Sequence, residues 1–86
     1  MNRLGKDFPK SIEVVAYAGY KANERPISFT IDGREFRVKN VVDRWYGEDH
    51  DYHKVLAEDG KIYILRWDRI FDLWSLVKIM EKMGKH

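Results

Sequence analysis

Two Asp-Gly dipeptides, Asp32-Gly33 and Asp59-Gly60, each lie between runs rich in β-branched and aromatic residues, and no other feature restricts the fold so tightly. A two-residue turn of type I′ needs positive φ at both central positions, which Asp and Gly tolerate, and its twist matches the strands it joins. Each dipeptide therefore predicts a β-hairpin. A hairpin turn also sets which residues face each other, so a register follows from its position.

In ISFTIDGREFRV, apolar Ile27, Phe29 and Ile31 alternate with Ser28 and Thr30 before the turn. Pairing Ile31 with Arg34 places Phe29 across from Phe36 and Ile27 across from Val38. One face of both strands is then apolar, and the other carries Ser28, Thr30, Glu35 and Arg37. Pro26 is placed just outside the strand, where no ladder donor is needed.

The second hairpin is KVLAEDGKIYILRW. Pairing Glu58 with Lys61 brings opposite charges together and sets Ala57 against Ile62, Leu56 against Tyr63, Val55 against Ile64, Lys54 against Leu65, His53 against Arg66 and Tyr52 against Trp67. One face then carries Val55, Ala57, Ile62 and Ile64, and the other Tyr52, Leu56, Tyr63, Leu65 and Trp67. A hairpin apolar on both sides belongs in the middle of a closed or sandwiched sheet, or offers one side to a partner.

The flanking segments extend the same pattern. SIEVVAYAGY favours a strand through its β-branched and aromatic content. FRVKNVVDRW is apolar at Phe36 and Val38, then at Val41 and Val42, and a bulge near Asn40 would bring the frame back into phase for Trp45. In DLWSLVKIMEKMGKH, Trp74 and Leu76 alternate with Ser75, while Ile70, Leu73, Trp74, Val77 and Met80 also keep helical spacing. The end is thus open to a strand, a short helix or a frayed basic tail. Five or six short strands with tight turns predict an all-β antiparallel meander curled into a small barrel or roll. Curling matters because an open sheet this apolar would aggregate through its edges.

Eighty-six residues allow one domain, residues 1–86, with flexible segments expected at 1–10 and 80–86. Four Phe, five Tyr and three Trp give so short a chain ample burial capacity, at ~150–250 Å² per ring. The core must do without staples, since the chain has no cysteine for a disulfide, a thiol nucleophile or a thiolate metal site. No apolar run approaches the roughly 20 residues of a membrane-spanning helix, and MNRLGKDFPK lacks the apolar core of a signal peptide. These features predict a cytoplasmic protein. The formal charge of +2 comes from interspersed signs rather than a block, weaker than the basic stripe usual for dedicated nucleic-acid binders.

ERPISFTIDGREFRVKNVVDRW followed by YHKVLAEDGKIYILRWDRIFDLWSLVKI resembles a family of small bacterial proteins of unknown function. Its shared pattern is Arg-Pro-x-x-Phe, a Gly-Arg turn, a Val-rich strand ending in Trp, a second hairpin, and a closing strand with Trp-x-Leu. The matching positions are Arg25, Pro26, Phe29, Gly33, Arg34, Val38, Trp45, Tyr63, Leu65, Trp74 and Leu76. The resemblance spans roughly residues 24 to 79 and implies a β-domain in a bacterial cytoplasm. It implies no catalytic residue.

Chemistry has one candidate stretch, GEDHDYHK at residues 47–54. His50 and His53, with Glu48, Asp49 and Asp51, offer metal-donor types, and on a helix two His three apart would share a face. The hairpin register instead puts Tyr52 and His53 in a strand, where the two imidazoles diverge, so no metal site is expected. The aliphatic hydroxyls, on Ser11, Ser28, Thr30 and Ser75, sit in no nucleophile setting, and the six isolated glycines form no phosphate-cradling loop. The expectation is a protein that is not an enzyme and uses no cofactor.

Binding is the stronger class. Tyr52, Tyr63 and Trp67 are predicted on one face with Lys54 between them, and Arg44, Tyr46, Arg66 and Arg69 lie close in sequence. Rings interleaved with cations suit single-stranded nucleic acid, whose bases stack while its phosphates pair with the charges. A competing assignment, favoured for the rings because cores are where aromatics usually sit, has Tyr63, Leu65 and Trp67 filling the barrel interior. In that arrangement Val55, Ala57, Ile62 and Ile64 cover an N-terminal strand or tail. Trp45 and Trp74, with no cation beside them by register, are assigned to the core. The alternative partner is a protein, bound at a sheet edge or at the apolar side of residues 70–83.

Overall fold

A computed structural model describes residues 9–17 and 25–81. They form six strands and no helix: β1 (Lys10–Tyr17), β2 (Arg25–Ile31), β3 (Arg34–Tyr46), β4 (His50–Ala57), β5 (Ile62–Asp68) and β6 (Leu73–Met80). Each pairs antiparallel with the next, and β1 returns to β6 through Lys10 opposite Leu76, Ser11 opposite Ser75 and Ile12 opposite Trp74. The sheet is a closed barrel. Closure pairs both outer strands with each other, so neither is left as an open edge, although residues 38–46 of β3 extend past its ladder with β2. The ambiguous C-terminal segment is settled as strand over Leu73–Met80, because Trp74 and Leu76 both point into the core. Lys10 and Met80, expected within flexible ends, open β1 and close β6; residues 1–8 and 82–86 of those ends lie outside the described residues.

The first hairpin forms in the predicted register, with Ile31 opposite Arg34, Phe29 opposite Phe36 and Ser28 opposite Arg37. Asp32 and Gly33 have φ of 51° and 84°, as a two-residue type I′ turn requires. The ladder stops before the expected Ile27–Val38 pair. In the β1–β2 ladder Val15 faces Ser28 and Ala16 faces Pro26, so Ile27 is passed over and left exposed while Ser28 and Phe29 are both buried. Pro26 lies within β2 rather than outside it, next to this bulge, where its missing donor is tolerated.

The second hairpin is shifted by one residue from its prediction. Leu56 faces Ile62, Val55 faces Tyr63, His53 faces Leu65, Tyr52 faces Arg66 and Asp51 faces Trp67. The cause is the turn. Gly60 N–H donates to the Ala57 carbonyl at 2.9 Å, Ala57 N–H donates to the Lys61 carbonyl at 3.0 Å, and only Gly60 has positive φ, at 87°. Glu58, Asp59 and Gly60 therefore make a three-residue loop ending in a glycine bulge, not a two-residue turn. Because side chains alternate with period two, one extra loop residue moves Tyr63, Leu65 and Trp67 onto the same face as Asp51, His53, Val55 and Ala57.

That shared face is the interior. Phe29, Phe36, Val55, Ala57, Tyr63, Leu65, Trp74 and Leu76 form the buried core, with Ile12, Val14, Ile31, Val38, Val41 and Trp67 packed against it. Near the β2–β3 turn, Phe29 stacks on Phe36 with centroids 5.4 Å apart, and Tyr63 tilts against both. Near the opposite end, Trp74 lies between His53 and Trp67 at 5.4 and 6.1 Å. The barrel is filled by two groups of rings with aliphatic side chains between, and Ser28, Asp51 and His53 are buried with them.

Candidate functional site: the outer wall of β3 to β5

β3 is thirteen residues long and carries two bulges against β4, between Val38 and Asn40 and between Val41 and Asp43. The first, near Asn40, was predicted. It turns Val41 inward opposite Val55. The second passes over Val42 and reverses the frame again, so that Arg44 faces buried His53 while Trp45 points outward beside Tyr52. Trp45 is consequently 42% exposed and not the core residue expected, whereas Trp74 is in the core as expected.

Trp45 and Tyr52 stack nearly parallel, with centroids 5.5 Å apart and 7° between planes. Across the wall Tyr52 is followed by Arg66 on β5 and Ser75 on β6. The neighbouring row runs Asp43, Lys54, Ile64 and Lys78. Adjacent strands lie ~4.8 Å apart, so ring, ring and guanidinium stand side by side with an ammonium one row away. Continuing the β2–β3 register sets Arg25 level with Asn40. Among the described strands, therefore, none pairs with β3 on the far side of Trp45.

The eight predicted binding residues divide. Tyr52, Lys54 and Arg66 share the outer wall. Tyr63 is 3% exposed in the core, and Trp67 lies half-buried on the inner side with its indole N–H donating to Asp72 Oδ1 at 2.8 Å. The predicted face uniting Tyr52, Tyr63 and Trp67 does not exist, because the longer turn puts Tyr52 on one side and the other two rings on the other. The interior assignment holds for Tyr63 and Leu65, but Val55 and Ala57 join them inside rather than covering another segment. Arg69 is committed to structure: its guanidinium donates to the Asp51 carboxylate and to the carbonyls of Gly47 and Glu48, and its backbone N–H donates to the Asp49 carbonyl at 2.9 Å. Arg44 is half-buried on the inner side of β3 and donates to the Tyr46 hydroxyl at 3.4 Å. Tyr46 itself is exposed at the end of the barrel.

Trp45 is the residue that sequence reasoning assigned wrongly. The signal was the Val41-Val42 doublet. Two adjacent valines cannot both enter a core from a regular strand, so the doublet left the frame beyond it undetermined, and the bulge between Val41 and Asp43 is what leaves Val42 outside and turns Trp45 outward.

GEDHDYHK resolves into a loop, Gly47–Glu48–Asp49, and the start of β4 at His50. His50 points outward beside Asp68, with Nε2 3.4 Å from its carboxylate, while His53 is buried inside against Trp74. The imidazoles lie on opposite faces, as strand geometry predicts. Among the described residues no three His, Asp or Glu side chains converge on a common point. Two carboxylates are tuned, one at each end of the β4–β5 hairpin. The N–H of Phe71 holds Asp68 below the usual carboxylate range, against a desolvation cost, with the N–H of Ile70 and the neighbouring His50 and Arg66 adding to it. Asp59 feels some burial that would raise it, but the Tyr63 hydroxyl, the Lys61 N–H and the Lys61 charge together bring it below its ordinary value.

No helix among the described residues is long and apolar enough to cross a membrane. Comparison of the chain with protein-family models, with curated proteins and with solved structures found no match to any of them.

Proposed function

We propose that the protein is a small non-catalytic binding domain of the bacterial cytoplasm that holds single-stranded nucleic acid on the outer wall of β3, β4 and β5. The carrying observation is the stacked Trp45–Tyr52 pair standing beside Arg66, with Lys54 in the next row. A base stacked on the open side of Trp45 continues an existing row of planar groups, while Arg66 and Lys54 meet the phosphates that flank it. Stacking of this kind is tolerant of sequence, because every base presents a π face. The bacterial cytoplasm is the setting that the family resemblance implies, and the lack of cysteine agrees with it.

Titration with a single-stranded oligonucleotide, followed by tryptophan fluorescence, is expected to quench the exposed Trp45 and to give an affinity that falls as salt rises. Trp45→Ala and Tyr52→Ala should each weaken binding by about 1–3 kcal/mol, and Arg66→Ala should reduce the salt slope by about 1. Absence of any signal up to high micromolar protein, or binding indifferent to both ring substitutions, would sink the proposal.

A further inference from the structure

The end of the barrel formed by the β3–β4 and β5–β6 loops exposes Tyr46 at 65%, Ile70 at 65%, Phe71 at 71% and Leu73 at 57%. Ile70 and Phe71 sit on the β5–β6 loop, Tyr46 ends β3 and Leu73 opens β6, and both loops are tied down. Asp68 Oδ1 accepts the N–H groups of Ile70 and Phe71 at 2.9 and 3.1 Å, and the Asp68 carbonyl accepts Asp72 N–H at 2.8 Å. Asp72 sits at positive φ, 57°, and its carboxylate receives the Trp67 indole N–H. Arg69 then joins this turn to the facing loop through Asp51 and the carbonyls of Gly47 and Glu48. Apolar side chains are thus held in water on a pre-ordered frame, so a partner meeting them need not bear the entropy of ordering the loops. Neither the core nor the outer wall uses Ile70 or Phe71.

The charge around them indicates what they meet. Glu48 and Asp49 are exposed on one loop and Asp72 on the other, while the cation between the loops, Arg69, is engaged by Asp51 and the two carbonyls. An acidic rim repels phosphates and anionic lipid surfaces, and a second copy of this end would bring acid against acid. We infer that this end of the barrel docks a partner protein through a segment that is both apolar and basic, its apolar residues packing on Phe71, Ile70 and Tyr46 and its Lys or Arg side chains meeting Glu48, Asp49 and Asp72. The surface is separate from the Trp45–Tyr52 wall, and the two can fail independently.

The test is selection of a randomised dodecapeptide library on the full 86-residue chain, with Phe71→Ser as the counter-target. Phe71 is exposed, so the substitution should leave the circular dichroism spectrum and unfolding midpoint unchanged, and Ile70→Ser serves as a second variant. Expected is enrichment of peptides combining Lys or Arg with aromatic or branched aliphatic residues. Their affinity should fall at least tenfold for Phe71→Ser and for Glu48→Lys with Asp49→Lys, and should be unchanged for Tyr52→Ala. No enrichment over the Phe71→Ser counter-target, or enrichment of acidic peptides, would overturn the inference. So would flotation of the chain with anionic vesicles through Phe71, or dimerisation abolished by Phe71→Ser. Absence of peptide enrichment with intact oligonucleotide binding separates failure of this surface from failure of the outer wall.

Discussion

Tyr63 is the residue whose position matters most for reading the molecule. Its ring closes the Phe29–Phe36 cluster, and its hydroxyl donates to Asp59 Oδ2 at 2.5 Å across the turn that orients it. Burial, then the hydrogen bond to Asp59 and the Asp59 charge, raise the phenol well above the usual tyrosine value. A phenol that keeps its proton in the folded state while the unfolded chain loses it contributes stability in full below pH ~10, and that contribution falls as pH rises further. Asp59 acts at the other end of the scale. Its lowered folded value means that its contribution is present at neutral pH and is lost on acidification through the carboxylate range. Tyr63→Phe should cost about 1 kcal/mol in urea unfolding at pH 7, less than the ~1.5–3 kcal/mol of a hydrogen bond to a charge because Asp59 is exposed. It should also flatten the decline in stability above pH ~10; an unchanged alkaline profile would show that Tyr63 is not its source.

At the scale of elements, turns and bulges decide which face a side chain occupies. Gly60 has φ of 87° with open space where a Cβ would point, so Gly60→Ala meets backbone strain rather than a clash and should cost about 1–2 kcal/mol in thermal unfolding. Gly60→Asn, which tolerates the left-handed region better, should recover part of that loss. The β5–β6 turn depends in a similar way on Asp68. Asp68→Ala removes the acceptor for two N–H groups, and amide exchange at Ile70 and Phe71 should accelerate while exchange in β4 is unchanged. An exchange increase spread over the whole sheet would mean that Asp68 supports the barrel and not the turn alone.

For the whole molecule, closure governs stability. β1 and β6 meet over three paired residues, a short seam held shut by the packing of Leu76 and Trp74 behind it. Leu65, fully buried and paired to Leu76 on one side and His53 on the other, lies between the two ring clusters. Leu65→Ala should therefore cost about 2–5 kcal/mol, read as a lower urea midpoint with unchanged slope. That is a large share of the roughly 5–15 kcal/mol that holds a domain together. A cost below 1 kcal/mol would show that the barrel interior collapses to refill the space.

Much of the fold was legible in the chain because it depends on local chemistry. Alternation at Ile27–Ile31 and Trp74–Leu76 marked strands, and the Asp-Gly dipeptides placed both hairpins. Asp32-Gly33 also set its register, since both residues accept positive φ. The candidate site was less legible for one physical reason. Side chains in a strand alternate with period two, so a single added residue inverts everything beyond it. Gly60 serves a two-residue turn and a three-residue loop equally well, and only packing selected the loop that sends Tyr63, Leu65 and Trp67 inside and leaves Tyr52 out. Val41 and Val42 are equal candidates for the interior, and only the bending of β3 around a closed barrel left Val42 out and turned Trp45 to the surface. The sequence by itself determined an all-β meander of five or six strands and where most would turn; the tertiary structure decided that Leu73–Met80 closes the barrel as the sixth strand and which rings face water, because that parity is settled by closure and not by any local preference.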